Sequence, residues 1–122
     1  MISDEKSRLT QIARDALTPL GAFVRMDRGD ALLVSDAPRR GAEIPKALEA
    51  DFETRLSGGL LYLTPRLTRI PQRLRGIFLS AMKADAEERE TLLRKALAES
   101  MRLRNADEIE FLTKIWEDER LC

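Results

Sequence analysis

Asp27, Asp30 and Asp36 stand within ten positions of one another and offer the carboxylate oxygens that magnesium or calcium prefers. Their spacing does not fit an EF-hand loop. Aspartate is also enriched in turns, because its side chain bonds the local backbone, and that is the reading these three favour. A second acidic group, Asp85, Glu87, Glu88 and Glu90, has the look of a di-metal ligand set. Such centres pair glutamate with histidine on helices facing a bundle interior, and the chain contains no histidine. Acids grouped there suit the first turn of a helix, where the dipole stabilises negative charge.

The lack of histidine removes the usual general base near neutral pH, the histidine-activated nucleophile and the commonest zinc ligand together. Ser35, Ser57 and Cys122 remain as nucleophile candidates, and Lys6, Lys46, Lys83, Lys95 and Lys114 form no motif with a serine. Gly58-Gly59 lacks the lysine and hydroxyl that complete a phosphate-binding loop. Arg28-Gly29-Asp30 spells an adhesion tripeptide, but a glycine between polar residues is what a hairpin tip needs. The single cysteine excludes an intrachain disulfide and favours a reducing compartment. The expectation is a protein without catalytic residues, metal site or cofactor.

Charge is balanced overall, with 21 basic against 21 acidic residues, so no net field draws the chain to nucleic acid or an anionic membrane. Its distribution is uneven. From Leu56 to Ala84 the chain carries Arg66, Arg69, Arg73, Arg75 and Lys83 and no acid, whereas six acids outnumber two bases from Asp107 to Cys122. Arginine presents a planar fork that recognises carboxylate or phosphate. Arg66, Arg69, Arg73 and Arg75, joined by Arg39 and Arg40 from the preceding loop, are therefore the candidate residues for binding a partner or an anion. The competing reading keeps them within the fold. Arg73 and Arg75 flank Leu74 by about 100° on a helical wheel, so their stems can lie beside a buried stripe. Arg73 is the best placed to hold the acidic last helix.

The elements that must carry these side chains follow from periodicity and breakers. All five prolines and five of six glycines lie within the first 71 residues, which marks a turn-rich first part and a helical remainder. Apolar spacing predicts a first helix from Ser3 to about Leu17 and short strands at Ala22 to Met26 and Ala31 to Ser35. A loop follows at Asp36 to Glu43. A second helix is predicted from near Pro45, burying Leu48, Phe52 and Leu56, then a third strand at Leu60 to Thr64. Three further helices begin near Pro71, after Asp85 as N-cap, and after Asn105, whose spacing to Glu108 suits a capping box. The order is α-β-β-α-β-α-α-α: an α+β fold with a small three-stranded antiparallel sheet and a helical C-terminal half. One domain over residues 1–122 is expected, with a mixed layer at 1–66 and a helical half at 67–122. The inner stripes predict a core of Leu9, Ile12, Leu17, Val24, Leu48, Phe52, Leu74, Phe78, Leu93, Leu97, Leu112 and Trp116.

The start Met-Ile-Ser-Asp-Glu-Lys is acidic and polar, unlike a signal peptide, and no apolar run approaches the ~20 residues that span a bilayer. The expected protein is a small cytoplasmic interaction module, not membrane-bound, that binds a protein partner or itself. The alternative is a nucleic-acid-binding regulator using the basic 56–84 stretch. Against it stand the neutral net charge and the lack of a helix-turn-helix, zinc finger or aromatic platform.

Overall fold

Helix and strand alternate early in the chain and helix alone occupies the later part. The computed structural model describes residues 2–38 and 43–121. In chain order the elements are α1 (Ile2–Leu17), β1 (Val24–Met26), β2 (Leu33–Asp36), α2 (Lys46–Glu49), β3 (Phe52–Ser57), β4 (Leu60–Pro65), α3 (Arg75–Lys83), α4 (Ala86–Arg102) and α5 (Ala106–Leu121). Single 3-10 turns at Thr18–Leu20 and Gln72–Leu74 follow α1 and precede α3. The class is α+β, and no helix among the described residues is long and apolar enough to cross a membrane. The chain divides into two compact units, one of Lys6–Arg66 and one of the described residues 2–5 and 67–121.

The first unit holds the sheet. Its four strands run antiparallel in the order β1-β2-β4-β3. The registers put Val24, Leu33, Ser35, Leu61, Leu63 and Phe52 on one face, and all six are buried. Leu9, Ala13 and Leu17, one stripe of α1, are buried too, as the helical period requires. The opposite face carries Arg25, Asp36, Glu53, Arg55 and Tyr62, with Val34 the buried apolar residue among them.

Four strands replace the three expected, because residues 52–57 form a strand where a helix was predicted. The helix that starts after Pro45 is one turn, Lys46–Glu49, with Leu48 buried. The four-residue spacing of Leu48, Phe52 and Leu56 suits a helix, but Phe52, Thr54 and Leu56 also alternate as a strand does. Gly58 and Gly59, with φ of 58° and 76°, decide between them. Two consecutive positive φ values make the tight turn whose twist matches an antiparallel pair. The turn closes a six-pair ladder from Phe52–Pro65 to Ser57–Leu60. Phe52 keeps its core place, whereas Leu56 lies near the end of an edge strand and is 57 % exposed.

The second unit is helical. Leu74, Phe78, Ala81 and Met82 are the buried stripe of α3 and its preceding turn, with Leu93 and Ala96 on α4 and Leu112 and Ile115 on α5. The Phe78 and Phe111 rings meet with centroids 6.3 Å apart. Asp85 caps α4 as its position suggests, its Oδ1 accepting from the Glu88 amide at 2.8 Å. Of the twelve expected core residues, Ile12, Leu97 and Trp116 are half-buried and the other nine are buried.

Candidate interaction surfaces

The arginines singled out by sequence fall in different places. Arg39 and Arg40 lie outside the described residues. Arg66, at the end of the sheet unit, donates from Nε to the Glu49 carbonyl at 2.8 Å, and its Nη1 lies 3.6 Å from Glu53 Oε1. Arg75 donates to the Ile70 carbonyl at 3.0 Å. Both hold the chain near their own element.

Arg73 enters a network. Its Nε and Nη2 donate to Glu108 Oε2 and Oε1 at 3.0 and 2.7 Å, a two-pronged pair between the turn before α3 and the first turn of α5. The Glu108 carboxylate, 2 % exposed, also accepts from Ser100 Oγ at 2.9 Å and from Asn105 Nδ2 at 2.7 Å. Asn105 Oδ1 in turn accepts the Glu108 amide at 3.2 Å. The Asn105-to-Glu108 spacing thus produces half of a capping box. In the full motif the glutamate reaches back to the backbone amide of the cap; here that amide donates to the Ser100 carbonyl and the carboxylate turns to Arg73. The hydrogen bonds from Arg73 hold the Glu108 carboxyl below the ordinary carboxylate range, against the opposing effect of burial and with help from Ser100. The same contact raises Arg73 above the usual guanidinium value. Among the described residues no buried side-chain polar atom lacks a partner, and this arrangement is a staple on a buried carboxylate whose Arg73 guanidinium stays half exposed.

Arg69 is exposed, with no hydrogen bond or ion pair among the described residues. Of the four described candidates, it is the one that matches what a free binding residue would look like.

The aspartates of the metal reading serve the backbone and the sheet. Asp27 Oδ2 accepts the Ala31 amide at 2.9 Å, Asp30 lies 3.5 Å from Arg55 and Asp36 lies 3.7 Å from Arg25. Among the described residues no cluster of three potential ligands could hold a metal ion. Ser35 is buried and donates to the Asp36 carbonyl at 3.0 Å, while Ser57 ends β3 at the hairpin.

The surface that sequence reasoning did not single out is the β1 edge. Strand β1 ends the sheet, with β2 on one side and no strand among the described residues on the other. Phe23, just ahead of it, is 67 % exposed, and Leu20 and Met26 are exposed as well. An exposed phenylalanine beside an open strand edge is unusual, because such edges template pairing with another chain and are ordinarily blunted by charge. The other edge is blunted in that way: β3 carries Glu53 and Arg55, both exposed. The signal was in the sequence, since alternation from buried Val24 puts Phe23 out of phase with the core.

Set against models of known protein families, curated proteins and solved structures, the chain matches none.

Proposed function

We propose that the protein is a small, non-enzymatic, cytoplasmic interaction module that takes up an extended polypeptide strand along the open edge of β1. The observation that carries this reading is the pairing of a strand edge that has no neighbouring strand among the described residues with the exposed ring of Phe23. Strand addition of this kind draws affinity from main-chain hydrogen bonds and specificity from the side chains flanking them. The arginines lend less to a nucleic-acid role. Arg66, Arg73 and Arg75 each spend donors on acceptors of their own chain, and phosphate contacts need those donors free. A cytoplasmic setting rests on the lone cysteine.

The test is selection of short unstructured peptides from a displayed library, followed by titration against the labelled protein. Selected peptides should shift the Val24 and Met26 amide resonances and protect them from exchange. Peptides that bind elsewhere, or a library that selects none for a protein that is itself monomeric, would overturn the reading. The same protein should show no salt-dependent shift of DNA or RNA in gels.

A further inference from the structure

The backbone of β1 has a definite polarity toward its two sides. The Asp27 amide donates to the Leu32 carbonyl at 3.0 Å, and Arg25 is the register partner of Val34. In an antiparallel ladder successive residues turn their N–H and C=O groups to opposite sides. Arg25 and Asp27 therefore face β2, and Val24 and Met26 direct theirs to the side away from β2. Ala22 follows the same parity, but its amide already donates to Leu17, leaving the carbonyl.

From this we infer that the strand taken up by β1 is β1 of a second copy, antiparallel, with the two-fold axis at Val24. The inference rests on the edge-binding reading above and names its occupant. A two-fold axis between antiparallel strands must lie at a residue paired with itself, because otherwise an outward-facing residue would oppose an inward-facing one. Three centres are within reach. A centre at Arg25 sets two guanidinium groups opposite one another, and like charges directly across a ladder repel. A centre at Met26 sets Arg25 against Asp27, whose carboxylate is engaged by Ala31, and leaves Phe23 uncovered.

The centre at Val24 satisfies both the backbone and the side chains. Val24 then exchanges two hydrogen bonds with its own counterpart, and each Met26 amide donates to the Ala22 carbonyl opposite. Phe23 stands across from Arg25 of the second copy, twice per dimer, at the pairs where side chains approach closest. The ring covers the guanidinium, whose Nη1 donates to the Phe23 carbonyl of its own chain at 3.2 Å and lies 3.7 Å from the Asp36 carboxylate on the same face of the sheet. A cation held against an aromatic face is attracted by the ring quadrupole. Two four-stranded sheets become one of eight strands, with the β3 edges, which carry Glu53 and Arg55, at its ends.

The experiment is sedimentation equilibrium of the full chain over a wide concentration range, with cross-linking to read the register. The wild type should show a reversible monomer–dimer equilibrium. Met26→Pro removes the outward amide, a change that edge strands tolerate, together with a side chain already 39 % exposed, and should leave the monomer folded by circular dichroism but undimerised. Phe23→Ala should weaken the dimer about tenfold or more, since each of two identical contacts loses a cation–π pair and buried ring area. In a Cys122→Ser background, a mixture of Phe23→Cys and Arg25→Cys variants should form a disulfide-linked heterodimer, because paired Cα atoms at such positions lie about 4.5 Å apart, within disulfide reach. Neither variant should cross-link alone. Self-linking by Arg25→Cys, or a dimer indifferent to Met26→Pro, would overturn the inference. A protein that stays monomeric yet binds library peptides at Val24 and Met26 would overturn self-pairing and leave the module reading standing; failure of both overturns both.

Discussion

Arg73 and Glu108, 35 residues apart, meet through two parallel hydrogen bonds, and the carboxylate they bind is almost wholly buried while the guanidinium remains half exposed. The asymmetry matters for what each contributes. Water can resolvate Arg73 when its partner is lost, but it reaches Glu108 poorly, and Ser100 and Asn105 depend on the same two oxygens.

Arg73→Ala, which strands the buried carboxylate without its counter-charge, should therefore lower the thermal midpoint more than Glu108→Ala, and the double variant should lose less than the two single losses added together. Ser100→Ala should cost about 1 kcal/mol or more, as expected for a buried hydrogen bond to a charged acceptor. Equal losses from Glu108→Ala and Arg73→Ala, with full additivity, would contradict a shared network.

The same network sets a dependence on pH. Because the hydrogen bonds from Arg73 keep the folded-state Glu108 carboxyl below its unfolded range, the unfolded chain binds a proton there before the folded one does. The stabilisation is complete above the range where an unfolded glutamate titrates and drains away as the pH falls through the folded value. Urea unfolding in an acid series should show a steeper loss for wild type than for Glu108→Gln. Parallel curves would count against the assignment.

Phe52 and Leu56 separate the strand from the helix that their spacing also permits. Phe52 is fully buried and Leu56 is 57 % exposed. Phe52→Ala should cost about 3–5 kcal/mol, the range for a truncated core aromatic, and Leu56→Ala about 0.5 kcal/mol or less, as for a surface site. Comparable losses in denaturant titrations would mean that the segment buries both side chains.

The hairpin turn gives an independent check on the same strand. At Gly59, φ is 76° and a Cβ would meet nothing within 4 Å, so space is no obstacle and only backbone preference opposes a side chain. Gly59→Ala should lose about 1–2 kcal/mol, the cost of the left-handed conformation for an L-residue. An unchanged midpoint would show that the turn relaxes to another geometry.

Arg104 occupies a place that usually belongs to glycine. It follows the C-cap of α4 with φ of 55°, its amide donating to the Met101 carbonyl at 3.1 Å and the Asn105 amide to Ser100 at 3.0 Å. Those two bonds are the helix-ending motif in which a left-handed residue follows the cap. Arg104→Gly should accordingly raise stability by about 1 kcal/mol, and Arg104→Val should lower it. Thermal unfolding of the three proteins should rank them Gly, Arg, Val; any loss on introducing glycine would reveal a contact made by the Arg104 side chain.

How much of this was legible beforehand depends on the range of the interactions involved. The spans of α1, α4 and α5, the Asp85 cap and the apolar stripes could be read directly, because helix periodicity and capping join residues three or four apart. The strand at 52–57 could not. Leu48, Phe52 and Leu56 satisfy a helix locally, and only the ladder to residues 60–65, closed by two glycines with positive φ, makes the extended form the better use of their backbone bonds. The place of Arg73 beside Leu74 singles it out among the arginines as the one to hold the last helix, yet nothing local identifies Glu108 among six nearby acids as its partner. That choice needs α4 and α5 folded back on each other so that Ser100 and Asn105 converge on the same carboxylate. Phe23 is the clearest division between the two levels: alternation assigns it to the face opposite Val24, but whether that position is covered or open depends on which strand ends the sheet. Strand order is set by pairings between distant segments, and here it leaves β1, and with it Phe23, at the edge.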